Sequence, residues 1–186
     1  MVALTSLFVP ILLSAVLVFL MSSLVHMVLP WHKGDYPKMP NEDKVMDALR
    51  TIGVQPGDYM VPKANDMAHM KSPEFKAKFE KGPVFMMTVM PGGSMNMGPQ
   101  LFQWFLYSIV VSVFAGYIAG HALGAGAPYL HVFRFAGATS FCCYGMAYVP
   151  MSIWYRRAWR ITFTSMFDAL VYGCLTAGAF GWLWPK

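Results

Sequence analysis

The sequence predicts an all-α integral membrane protein: four transmembrane helices, with a polar segment of short helices, or a small hairpin, between the first and the second. Two observations carry this. Hydrophobic types make up 56% of the 186 residues and charged types 12%, about half the charged share of an ordinary soluble domain. The charges are also unevenly spread: no side chain from Met1 to Val25 is ionisable, and no Asp, Glu, Lys or Arg occurs from Gly82 to Phe133. A chain this apolar is not a disordered one. The net charge of +5 comes with no basic stripe interleaved with aromatics, so nucleic acid is not an expected partner. The basic residues flank apolar runs, where orientation in a bilayer explains them.

The chain reads as transmembrane helix 1 over 1–30, an extramembrane segment over 31–100 and a three-helix transmembrane unit over 101–186. Ala3–Leu29 is long enough to cross the hydrocarbon core at about 1.5 Å per residue. A cleaved signal peptide fits it poorly, because no Lys or Arg precedes the apolar run. The 31–100 segment holds nine basic and eight acidic side chains. Within it, Asn41–Arg50 reads as a helix, with Pro40 just before it and carboxylates in its first turn. Ser72–Glu80 reads as another, with Ser72 as N-cap, Pro73 in the first position and Gly82-Pro83 as the stop. Tyr59–Val61 and Val84–Met90 are candidate strands or surface segments.

Leu101–Leu123, Tyr129–Pro150 and Ile161–Pro185 are the remaining spans. They are joined by the Gly124–Pro128 turn and by a short basic loop, Trp154–Arg160. Short connections make the three antiparallel neighbours. Arg156, Arg157 and Arg160 place that loop, and with it residues 31–100, in the cytoplasm, with both termini outside, in a plasma or bacterial inner membrane. Trp31, Trp104, Trp154 and Trp159 then form the inner aromatic belt, and Trp182 and Trp184 the outer one.

Small residues recur every four positions at Gly116, Gly120 and Gly124, and again at Gly173, Ala177 and Gly181. This spacing lets helix backbones approach closely. Packing within the four-helix unit is the favoured reading, and a docking face for another subunit is the other.

Asp168 is the most informative residue. A lone charge well inside a span costs at least about 2.5–3.5 kcal/mol on insertion scales, so it requires a partner. Counting along the helices brings His26, Tyr107, Tyr144, Asp168 and Tyr172 toward one depth, as a quinone-headgroup or proton-handling site. The simpler reading is an interhelical hydrogen bond that fixes helix order. Arg134, with Arg156, Arg157 and Arg160, is placed at the lipid headgroups.

His121 and His131 flank the 124–128 turn and are lesser candidates for haem or metal ligation. The thioethers of Met86, Met90, Met95 and Met97 are soft ligands of the kind that bind Cu(I). His26 and His32 have no zinc-like companion nearby in the sequence. Cys142 and Cys174 are expected to be buried packing residues. No motif specifies an enzyme, and no cofactor is required.

The leading functional expectation is therefore a non-catalytic accessory subunit of a larger membrane complex, respiratory or photosynthetic. Its partners are the lipid bilayer and other membrane subunits. A small metal-, haem- or quinone-binding protein and an oligomeric small transporter are the alternatives.

Overall fold

The computed structural model describes residues 1–186, and most of them are helical. The chain divides into two compact units, Met1–Pro37 with Asn96–Lys186, and Lys38–Met95.

The first unit contains α1 (Phe8–Met27), preceded by a 3-10 turn at Leu4–Leu7, then α5 (Gly98–Ala122), α6 (Tyr129–Gly145), α7 (Tyr148–Tyr155) and α8 (Trp159–Trp182). Three helical segments are long and apolar enough to cross a membrane: Leu4–Met27, Gly98–Ala122 and Trp159–Trp182. The stretch expected to be the third span is in two pieces. Pro150 is the reason: a proline cannot donate to the carbonyl of Met146, and its ring crowds that carbonyl. The helix therefore ends at Gly145 and restarts at Tyr148, which puts Pro150 in a first turn, where its missing N–H costs nothing. Met146 and Ala147 keep right-handed helical angles, and Val149 N–H bonds the Met146 carbonyl across the break.

Much of the expected basic loop at 154–160 is also helical. Only Arg156, Arg157 and Ala158 lie between α7 and α8. Arg156 takes the left-handed conformation that ends α7 (φ 54°). Ser152 Oγ and Thr162 Oγ1, 2.6 Å apart, pin the two helices together.

Helices α1, α5, α6 and α8 close a ring in which each packs against two neighbours, with α6 against α8 the most extensive pairing. One buried cluster joins Leu7, Ile11, Ala115, Ala119, Val132, Ala136, Phe180 and Trp184. A second, nearer the α1 C-terminus, joins Val18, Val111, Tyr144, Ala169 and Tyr172. The small-residue stripes face inward. A Cβ at Gly120 would lie 2.7 Å from the Val2 carbonyl oxygen, one at Gly116 3.1 Å from the Phe180 ring, and one at Gly181 2.6 Å from the Tyr129 ring. Ala177 is fully buried. Gly124 alone among the stripe glycines has nothing within 4 Å.

Cys142 and Cys174 are exposed rather than buried. Cys142 lies on α6 and Cys174 on α8, and the apolar character of a small thiol does not by itself decide which side of a helix it takes.

The second unit holds α2 (Glu42–Ile52), β1 (Gly57–Val61), α3 (Met67–Lys71), α4 (Pro73–Lys81) and β2 (Phe85–Val89). The two strands pair antiparallel, with Asp58 opposite Thr88 and Met60 opposite Met86, so the candidate strands form a hairpin-like pair enclosing α3 and α4. Ser72 caps α4 by accepting from Phe75 N–H at 3.1 Å. Gly53 (φ 73°) ends α2 in the left-handed region, where a Cβ would be strained.

Candidate metal centre

The site begins where α1 stops. Pro30 opens a 3-10 turn, Pro30–His32, and its fixed φ suits that first position. Lys33 N–H bonds the Pro30 carbonyl, and Asp35 N–H bonds that of His32. The chain is thereby folded back along α8 as a short strap over residues 30–36. Two arginines grip it. Arg157 Nη2 donates to Tyr36 Oη at 2.7 Å and its guanidinium lies 5.7 Å from the centre of the Tyr148 ring. The Arg160 guanidinium lies so close to Gly34 that a Cβ there would meet it at 2.9 Å.

The strap delivers Trp31, His32 and Asp35 to Asp168. His32 Nε2 is 2.8 Å from Asp168 Oδ2 and His32 Nδ1 is 2.7 Å from Asp35 Oδ2. Trp31 Nε1–H donates to Asp168 Oδ1 at 3.2 Å. The His26 ring stacks on that of His32, with centroids 4.5 Å apart and planes 9° from parallel. One nitrogen each from His26 and His32 and one oxygen from Asp168 all lie within 4.8 Å of one another. No other group of three or more His, Cys, Asp and Glu side chains converges in this way. Asp35 and Asp168 are buried, and a buried carboxylate is costly without partners. Here each has a histidine.

His26 Nδ1 is 2.9 Å from the Ser22 carbonyl, so it carries the proton and the neutral ring leaves Nε2 as a lone pair. His32 Nδ1 faces Asp35 in the same manner. Both imidazoles have Nδ1 held by an outer acceptor, and His32 turns its Nε2 to Asp168; outer acceptors of this kind orient metal-binding histidines.

Beside this centre is a cavity of about 340 Å³, whose lining includes Ser22, His26, Trp104, Tyr144, Asp168 and Tyr172. Four of the five residues expected to share one depth therefore line one cavity. The fifth, Tyr107, stands behind its wall, with its ring 5.7 Å from that of Tyr144 and its hydroxyl donating to the Cys143 carbonyl. His32, Asp35 and Trp31 were not expected at the site.

The remaining candidates fall elsewhere. His121 is exposed and paired with its own helix through the Tyr117 carbonyl, and His131 is exposed. Met86, Met90 and Met95 belong to the second unit and Met97 to the first. Met90 and Met95 are largely exposed, whereas Met97 reaches the cavity lining. Arg134 and Arg156 are exposed.

Comparison of the chain with protein-family models, with curated proteins and with solved structures finds no match in any of the three.

Proposed function

We propose that this protein is a small metal-binding membrane protein, with His26, His32 and Asp168 as the ligands of one divalent transition-metal ion. The observation that carries this reading is the convergence of one nitrogen each from His26 and His32 with an oxygen of Asp168, all within 4.8 Å of one another, with each imidazole held at Nδ1 by an outer acceptor. Two histidines and a carboxylate suit Zn²⁺ or Fe²⁺. Three protein ligands beside a cavity leave positions open for water or a small ligand, as in reactive rather than purely structural centres. A bound ion would supply Lewis acidity there. The chain's own contribution is to hold both rings, to fix the second oxygen of Asp168 through Trp31, and to wall the site with aromatics.

Purified in mild detergent after growth with added zinc or iron, the wild-type protein is expected to carry about one ion per chain. His32→Ala is expected to retain less than about a tenth of that. Wild-type protein that stays metal-free under both supplements overturns the reading.

The arrangement in the membrane belongs to the same proposal. The four crossings are α1, α5, the α6–α7 pair and α8. At 17 residues, α6 alone extends about 26 Å, short of a hydrocarbon core of about 30 Å, and α7 supplies the remainder. The positive-inside rule places the arginine turn between α7 and α8 in the cytoplasm, with the metal centre on that face and both termini outside. A C-terminal reporter that works only in the cytoplasm is expected to be silent. Activity of that fusion reverses the orientation.

A role as subunit of a larger membrane complex has its own support in the second unit. Among residues 38–95 only Pro62 and Phe75 are buried, while Met39, Met46, Met60, Met67, Phe79 and Met86 are exposed. So small a core contributes little stability unaided, and methionine suits adaptable contact surfaces. Migration of the native protein as a lone monomer in a mild-detergent gel would count against this second reading.

A further inference from the structure

We infer that the cavity beside the metal centre is a binding site for a planar ring bearing carbonyl oxygens, a headgroup of the quinone class, which enters from the lipid. The inference shares His26 and Asp168 with the proposed centre but does not require an ion there.

Three observations converge on this ligand. The first is shape. Trp104, Tyr144 and Tyr172 are in mutual contact, with ring centroids 5.9 Å, 6.2 Å and 5.5 Å apart. They form an aromatic wall on a cavity of about 340 Å³, within the size range of small-ligand sites. Such a wall favours a flat, polarisable ring over a flexible chain.

The second is hydrogen bonding. The hydroxyls of Tyr144 and Tyr172 are buried and have no partner in the protein, on side chains only 6% and 3% exposed. Buried polar groups are normally satisfied. Two phenolic O–H donors ask for a ligand with acceptor oxygens. Trp104 is not a competing donor, because its N–H is already given to Ser22 Oγ at 2.8 Å. It offers the ligand only its face.

The third is access. Met27, Met97 and Leu101 also line the cavity and are 79%, 62% and 40% exposed. They lie at neighbouring ends of α1 and α5 and make an apolar rim at the level where a bilayer would meet the protein. A ligand with an apolar tail passes such a rim, and a freely soluble sugar or nucleotide has no reason to. A lipid acyl chain fits the rim but leaves both hydroxyls unsatisfied.

The test is a titration of the detergent-purified full chain with decylubiquinone, read by quenching of tryptophan fluorescence, with dodecylbenzene as the carbonyl-free competitor. Saturable binding is expected, and Trp104→Phe should remove most of the quench. Tyr144→Phe and Tyr172→Phe should each weaken binding about tenfold. Dodecylbenzene should not displace the quinone. The Phe variants remove only an unpartnered oxygen, so an unchanged thermal unfolding profile is expected and separates lost affinity from lost fold. Unchanged affinity in both Phe variants overturns the inference, and so does displacement by dodecylbenzene at equal concentration, which would mark an acyl-chain groove. The titration is repeated on EDTA-treated protein. Quinone binding that persists there, in a chain that never takes up metal, would leave this inference standing while the metal reading falls.

Discussion

Asp168→Asn is expected to abolish metal uptake while leaving the fold intact, and Asp168→Ala is expected to damage both. Asp168 is 4% exposed and receives Trp31 Nε1–H on one oxygen and faces His32 Nε2 with the other. Asparagine reproduces both contacts. Its carbonyl accepts from Trp31, and its amide donates to the Nε2 lone pair of a neutral His32 whose Nδ1–H is given to Asp35. Stability should therefore change by less than about 1 kcal/mol, as for an exchange that leaves no buried polar group unpaired. The loss of an anionic ligand should lower metal affinity by at least about 100-fold, beyond the 10–100-fold typical of outer-shell changes. Alanine strands the Trp31 N–H and the His32 nitrogen, at a cost of about 2–4 kcal/mol. Metal content and the unfolding midpoint, measured on both variants, check the pair of expectations. The rival arrangement is a protonated His32 held between two carboxylates. In that case Asp168→Asn removes one of the countercharges, and the variant should fail to assemble.

The membrane character of the chain was legible in its sequence because a bilayer imposes a one-dimensional rule, an unbroken apolar run of sufficient length. Tyr144, Asp168 and Tyr172 could be placed together by counting helical rise, since rise converts sequence number into depth. The same counting missed His32 and Asp35, which lie in the polar segment, beyond the apolar run. Only the tertiary fold-back of the Pro30–Tyr36 strap brings them to α8. A signal was present nonetheless. An intramembrane carboxylate demands a partner, and a His-x-x-Asp pair immediately after an apolar run, preceded by a tryptophan, was a nearby supply. Ile161 and Thr162 at the start of α8, and Asp168 further along, are buried, and α8 packs against α7. The division of the third expected span had its cause in plain view at Pro150. The sides on which Cys142 and Cys174 would lie had no such cue, because lipid and protein interior are nearly equivalent solvents for a thiol.

Gly173→Leu is expected to destabilise the helical unit strongly, costing about 3 kcal/mol or more, with Gly173→Ala costing about 1–3 kcal/mol. The α6–α8 seam explains both. A Cβ at Gly173 would lie 3.1 Å from the Gly137 carbonyl oxygen and 3.4 Å from Phe141 N. These are backbone atoms of α6 and cannot swing aside. Further along the seam, a Cβ at Gly137 would meet Ala177 Cβ at 3.0 Å, and one at Gly145 would meet Ala169 Cβ at 2.9 Å. At these positions the seam is small against small, and the helices can accept a side chain there only by moving apart. In lipid this matters more than in water, because apolar association offers no compensation and close packing carries much of the attraction between helices. Gly124→Ala supplies the contrast. It belongs to a four-residue repeat of the same kind, yet nothing lies within 4 Å of its added Cβ, so a change within about 0.5 kcal/mol is expected. Thermal unfolding in one detergent, read for both positions, separates packing inside the protein from docking outside it. If Gly124→Ala disrupts assembly with a partner while Gly173→Leu unfolds unchanged, the small-residue stripes serve another subunit rather than this one.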